Sequence, residues 1–231
     1  MRVVSYNIRK SLGLDRKRNP ARILDVLNEI NADVVFLQEV DRRTGKRKTT
    51  LTPELIAQYT DYHAADIAIR AHSLGWHGNV ILIKNHLKFE FAWRIDLPTL
   101  EPRGAIAADI RVDGKLVRLV ATHLALLSRL RKLQVNMLSA ALEDAPGDPP
   151  TIIAGDFNEW RKSKSCIDLF GDGYISIEPE PSFHSALPVV AFDRIVVSND
   201  IKFLKTSVHE SLKSKIASDH LPLWADLRLP Q

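Results

Sequence analysis

The chain has a single cysteine, Cys166, among 231 residues. One thiol cannot close an internal disulfide or assemble a thiolate zinc site, which fits a reducing compartment, and a cytoplasmic location is expected. No run approaches the ~20 apolar residues that span a bilayer. No charged segment leading into an apolar one precedes Met1-Arg2-Val3-Val4, so neither a transmembrane segment nor a secretion signal is expected. Low-complexity tracts and internal repeats are absent as well. Net charge is only +4, with 45% hydrophobic and 26% charged residues. That composition excludes disorder, coiled coil and collagen, and leaves a globular chain short enough to form one domain over 1–231.

What charge there is lies unevenly. Residues 1–50 hold twelve Lys and Arg against six Asp and Glu, so the remainder of the chain is slightly acidic. Most of these cations fall in two loops, Arg9 to Arg18 and Arg42 to Lys48. A solvated surface would look the same unless those loops flank a site.

Short apolar, β-branched runs dominate the pattern. Strands are predicted at Arg2 to Tyr6, Asp33 to Gln38, Asn79 to Ile83, Phe89 to Leu97, Gly104 to Val112, Lys115 to Thr122, Thr151 to Gly155, Phe192 to Ser198, Ile201 to Val208 and Leu221 to Leu229. Helices are few. Asn19-Pro20 caps one in which Ile23, Leu24, Leu27 and Ile30 recur at helical spacing, Thr52-Pro53-Glu54 starts a short one, and Ser128 to Leu142 is the longest. Without regular β-α-β alternation, two packed sheets with helices outside are expected rather than a doubly wound sheet.

Several of these strands run straight into polar residues: Asn7, Glu39, His123, Asp156 with Asn158, and Asp219 with His220. Turn chemistry accounts for Asn and Asp at such places, but not for Glu after Leu37-Gln38 or His after Ala121-Thr122. Asp193 lies inside an apolar strand, where an unpaired carboxylate is costly, so it needs a partner. A histidine suits, because a carboxylate on one ring nitrogen fixes the tautomer and aims the other, and His220 is the candidate.

With SYNI at 5–8, LQEV at 37–40, THL at 122–124, GDFN at 155–158, FDRIVVS at 192–198 and SDHLPL at 218–223, in that order, the chain resembles the endonuclease/exonuclease/phosphatase superfamily, which has the DNase I-like fold. The resemblance implies an α/β (α+β) four-layer sandwich of two packed mixed sheets with helices on the outer faces. It implies Glu39 as principal Mg²⁺ ligand, Asn7 beside it and Asp219 as a further carboxylate, with Mn²⁺ a workable substitute. Asp193 and His220 match the family's Asp-His pair, Asp156 and Asn158 the residues that position water and a phosphoryl oxygen, and His123 a phosphate-contacting histidine. Either His220 or Asp156 could serve as general base. Phosphoester hydrolysis asks for such residue types independently, since charge on phosphoryl oxygens must be neutralised and water held in line.

Departures from the family narrow the branch. Thr122-His123-Leu124 argues against the apurinic-site nucleases. Asn79, expected among the substrate-binding residues, stands near the place where DNase I has a glutamate supporting its second histidine. Arg103, in Arg103-Gly104-Ala105, is expected to meet a phosphate, and Lys46, Arg47 and Lys48 to contact the substrate. A monomeric Mg²⁺-dependent phosphodiesterase acting on nucleic acid or an anionic phospholipid is therefore expected. The alternatives are a phosphomonoesterase for a small phosphorylated metabolite or inositol phosphate, and an inactive binding module. No exposed aromatic pair suggests a lipid-docking loop tip. His63, His72, His86 and His209 lack ligand spacing and read as surface histidines, while Trp160 is a candidate for the substrate rim.

Overall fold

The computed structural model describes residues 1–101, 103–161, 165–177 and 180–230. Its strands fall into two sheets. The first contains β1 (Arg2–Asn7), β2 (Val34–Gln38), β3 (Tyr62–Ala64), β4 (Val80–Lys84), β11 (Lys202–Val208) and β12 (Leu223–Arg228). The second contains β5 (Phe89–Ile95), β6 (Gly104–Val112), β7 (Lys115–His123), β8 (Thr151–Asp156), β9 (Tyr174–Ser176) and β10 (Asp193–Ser198). Their orders are β11-β12-β1-β2-β4-β3 and β5-β6-β7-β8-β10-β9. Among the described residues four α-helices accompany them: α1 (Pro20–Ile30), α2 (Pro53–Tyr59), α3 (Ser128–Glu143) and the single turn α4 (Ser214–Ala217).

Each sheet has one parallel pair, β1 with β2 and β7 with β8, and its other pairs are antiparallel. Parallel neighbours need a crossover, and α1 and α3 supply them. The α1 crossover is cut to length by its caps. The Asn19 side chain accepts from the Arg22 N–H at 3.1 Å with Pro20 at the first helical position, and Asn31 ends the helix in the left-handed region.

Central strands have both faces covered. Val3, Val34, Phe36, Ile81 and Ile83 meet Ile106, Ile110, Leu119, Ile152 and Ile195 between the sheets. On the outer face of the first sheet, Val4, Tyr6, Val35 and Leu37 pack with Ile23, Leu24 and Leu27 of α1. On that of the second, Ala107, Val120, Ile153 and Val196 pack with Val135, Leu138 and Leu142 of α3. The layers are thus helix, sheet, sheet, helix, as expected. Strands buried on both sides read as continuous apolar runs rather than alternating ones.

The predicted strands and helices are found with ends shifted by a residue or two. The structure adds β3, β9 and α4, which are three or four residues long and too short to carry a periodic signal. Among the described residues no helix is long and apolar enough to cross a membrane.

Candidate active site

The parallel pairs bring strand ends to one edge. Register sets Asn7 opposite Gln38, immediately before Glu39, and His123 opposite Asp156. Asp193, first residue of β10, lies opposite Asp156 on its other side. His123, Asp156 and Asp193 therefore form one row across three adjacent strands. Gly155 allows that row to close up, since a Cβ there would stand 1.8 Å from the Thr122 carbonyl oxygen. The segment before β12 reaches the same edge, where Ser218 Oγ donates to the Asn7 carbonyl at 2.7 Å.

One oxygen is the focus of the arrangement. Asp156 Oδ2 accepts from Asn7 Nδ2 at 2.9 Å, lies 3.3 Å from His123 Nε2 and 3.8 Å from His220 Nε2. Its other oxygen accepts from the Asn158 N–H at 3.0 Å. Burial pushes this carboxyl up, but the charge and hydrogen bond of His123, the charge of His220 and the Asn7 amide outweigh burial and hold it well below the usual range.

His220 donates from Nδ1 to Asp193 Oδ2 at 2.8 Å, and Ser182 Oγ donates to the same oxygen. Burial pulls the imidazole down, and Asp193, Asp156 and Asp219 override it and raise His220 to about 10. The Phe183 ring, 5.0 Å from the imidazole, walls it on one side. Asp193 is fully buried, and its Oδ1 has no hydrogen-bond partner among the described residues.

Glu39 stands across from this row with a backbone φ of 56°. Its carboxylate faces the Lys10 ammonium and, at 3.0 Å, Arg43. Burial raises its carboxyl, and His123, Lys10 and Arg43 together bring it below the ordinary value. Asp219 Oδ2 pairs with Arg9 at 3.2 Å, and Asn7 Oδ1 accepts from the Arg9 N–H. Among the described residues no three His, Cys, Asp or Glu side chains converge as a ready-made metal cage. The donors present are hard oxygens, with the Glu39 and Asp219 carboxylates each facing a cation, which suits a Mg²⁺-type ion that is held by one or two carboxylates, water and substrate phosphate.

Beyond Glu39 the site opens into a cleft lined by Arg42, Arg43, Arg47, Arg70, Arg103 and His123, among others. Asp41 welds its two loops together, accepting from Ser73 Oγ and, at 3.2 Å, from the Leu74 N–H. Arg47 and Arg70 form no ion pair among the described residues. Their charges, after burial, hold His77 below its ordinary value against the pull of Asp96.

Of the residues singled out in the sequence, Asn7, Glu39, His123, Asp156, Asn158, Asp193, Asp219 and His220 come to this edge. Arg103 is buried beside His123, donating to the Leu124 carbonyl at 2.7 Å and to Glu101 at 3.1 Å. Arg47 lines the cleft, while Lys46 and Lys48 are exposed beside it and are not among its lining residues. Asn79 is not there either. It is buried with its amide donating to the Gly104 carbonyl at 3.0 Å, a tie between β4 and β6 rather than a support for His123. Arg70, Trp76 and His77 line the cleft without any motif to mark them, and Ser182 and Ser218 act through hydroxyls that sequence spacing does not reveal. His209 bonds Glu29 and His63 bonds Asn85, as surface histidines do.

A family model described as the Endonuclease/Exonuclease/phosphatase family matches residues 4–220. The Escherichia coli (strain K12) protein YbhP is 26% identical over 247 residues, covering 99% of this chain and 96% of its own. The endonuclease/exonuclease/phosphatase structure from Bacteroides vulgatus superposes with a TM-score of 0.80 at 17% identity, over 99% of this chain and 98% of that one. D. rerio TDP2 complexed with single strand DNA product superposes at 0.74 and 19% identity, over 99% of this chain and 98% of that one.

Proposed function

The chain belongs to the endonuclease/exonuclease/phosphatase family, and from that premise we propose that it is a phosphodiesterase requiring a divalent cation, Mg²⁺ with Mn²⁺ as substitute. The observation that carries the proposal is the gathering of donors from both sheets onto Asp156 Oδ2. Two imidazole Nε2 atoms and an amide point at one anionic oxygen, and a phosphoryl oxygen would take those same donors.

Glu39 would hold the cation, with Asn7 and Asp219 beside it, and the cation would neutralise charge on the phosphoryl oxygens. The chain's own residues do the rest. Asp193 fixes the His220 ring through Nδ1, so Nε2 is aimed at the reacting phosphate and donates to its oxygen. His123 donates from the adjacent strand. Asp156, anchored by the Asn158 N–H and the Asn7 amide, accepts from the attacking water and aligns it. In this scheme Asp156 takes the water's proton as the new oxygen–phosphorus bond forms, His220 keeps its own, and the bond to the leaving oxygen breaks with that oxygen taking a proton from bulk water.

Cations beyond those one phosphate needs, Arg42, Arg47 and Arg70, support a substrate with anionic groups on both sides of the scissile bond. The test is turnover of bis-p-nitrophenyl phosphate against p-nitrophenyl phosphate across a metal series. Diester turnover that needs added Mg²⁺ or Mn²⁺ is expected, and faster monoester turnover under every condition would overturn the diesterase reading.

A further inference from the structure

Helix α3 starts at Ser128, close to the active-site edge that the chain leaves at His123 and Leu124. From Leu126 to Leu142 the chain carries Arg129, Arg131 and Lys132 and no acid. Val135, Leu138 and Leu142 take the inward face, and Arg131 is buried, donating to the Leu126 carbonyl at 2.6 Å and to Glu159 at 3.3 Å. What remains outside, on the helix and on the two residues that lead into it, mixes apolar with basic side chains. Leu126 and Leu127 are each 60% exposed and Leu133 48% exposed, with Arg129 and Lys132 exposed among them.

The apolar group continues onto the next loop. Leu100 is 84% exposed, and Leu100, Leu126 and Leu127 border one surface hollow that Glu101 and Arg103 also line. Arg103 also lines the active cleft with Arg42, Arg47 and Arg70. Exposed leucines and the cations of the cleft thus adjoin across two shared residues, Arg103 and Glu101, whose charges offset one another in an ion pair of 3.1 Å. Single exposed leucines need no explanation, but a contiguous group at a functional rim marks a contact surface.

We propose that Leu100, Leu126 and Leu127 dock the active-site end of the protein onto an anionic phospholipid bilayer, and that the phosphodiester it cleaves is a phospholipid headgroup in that surface. The proposal deepens the phosphodiesterase reading above and rests on it for its second half. Charge complementarity selects this occupant. Leucine side chains would enter the boundary between headgroups and acyl chains, while Arg129, Lys132 and the cleft arginines lie level with the lipid phosphates. Single-stranded nucleic acid would make use of stacking aromatics and cations, not a leucine cluster. A second copy paired through the same patch would bring its own Arg129 and Lys132 against these, like charge facing like.

The experiment is co-sedimentation of the full chain with vesicles of phosphatidylcholine and phosphatidylglycerol at 3:1, and with phosphatidylcholine alone, each with bis-p-nitrophenyl phosphate turnover measured alongside. Binding to the anionic vesicles that weakens with salt is expected. Leu126→Gln with Leu127→Gln should lower vesicle partition about tenfold, and Arg129→Gln with Lys132→Gln about fivefold per cation removed. Diester turnover in both variants should stay at the wild-type value, which also shows that they fold. Wild-type protein that ignores anionic vesicles, or a leucine variant that binds them unchanged, overturns the proposal. So does a wild-type dimer by light scattering that the leucine substitutions convert to monomers without altering vesicle binding. Leucine-dependent vesicle binding by a protein that hydrolyses no diester with any metal would leave docking standing and remove the phosphodiesterase reading.

Discussion

Asp193 is wholly enclosed, and one of its oxygens accepts from both Ser182 and His220. A buried carboxylate survives only when paired, and the imidazole it charges is the same ring that the site needs oriented. The two residues act as one unit. Asp193→Asn and His220→Ala are each expected to lower kcat by ~10²–10⁴-fold, and the double variant to lose little beyond the worse single one. Additive losses in the double-mutant cycle would break the pairing. Glu39 differs, because its surroundings are cationic and open toward the cleft. Glu39→Ala should abolish metal-dependent hydrolysis while leaving the circular dichroism spectrum unchanged, and full wild-type activity in EDTA would contradict the role given to Glu39.

At the scale of elements, the strands that carry the site are legible in the sequence because each is buried on both faces and reads as an unbroken apolar run. Val34 to Gln38 and Thr151 to Asp156 are such runs, and a charged residue at the end of one stands out. Arg70, Trp76 and His77 sit in the loop between β3 and β4 that Asp41 holds, with no period of its own, so nothing local marks them. Asn79 shows the opposite error: a polar residue at a strand start, near the right motif, whose amide is spent on the Gly104 carbonyl. The exposed leucines at the start of α3 are hidden too, since Leu126, Leu127 and Leu133 read in sequence like the inward Leu138 and Leu142, and only packing separates them.

Elements also bring their own tests. Gly155→Ala should destabilise the protein by several kcal/mol, on the order of an overpacked core site, because β7 and β8 cannot separate without losing their ladder. At the other end of β1, Arg2 holds Asp226 of β12 through two hydrogen bonds of 2.8 and 3.0 Å. The Arg2 hydrogen bond, against a smaller opposing effect of burial, sets the Asp226 carboxyl below its ordinary value. Its contribution is therefore full above the unfolded carboxyl value and fades as pH falls through the folded one. The pair is partly exposed, so ~0.5–1 kcal/mol is expected, seen in urea titrations as a loss of stability below about pH 4 that Asp226→Asn abolishes.

Across the whole molecule, the basic excess of residues 1–50 gathers at one end, in loops that follow Asn7 and Glu39. Lys46 and Lys48 stand exposed beside the cleft-lining Arg47 and extend its field outward. Replacing Lys46, Arg47 and Lys48 with Ala should lower kcat/KM for a multiply charged substrate and flatten its salt dependence. If nucleic acid is cleaved, every phosphate that no longer meets a cation should reduce the log–log salt slope by roughly 0.7–0.9. An unchanged slope with every polyanion and anionic vesicle would assign these side chains to solvent alone.

The hydrogen bond from Asn7 to Asp156 joins a strand end of one sheet to a strand end of the other. Glu39 follows directly on β2 of the first sheet, while His123, Asp156 and Asp193 lie at strand ends of the second, so the reacting groups meet only when the two sheets are in alignment. The site behaves as a gauge of how well the layer between them is filled. Small reductions of volume there, such as Ile81→Val or Ile106→Val, should show as a fall in kcat larger than their cost in stability of ~0.5–1.5 kcal/mol would suggest. The same change under α1, Ile23→Val, should cost similar stability and leave kcat where it was, since it shifts a helix and not the spacing between the two halves of the machinery.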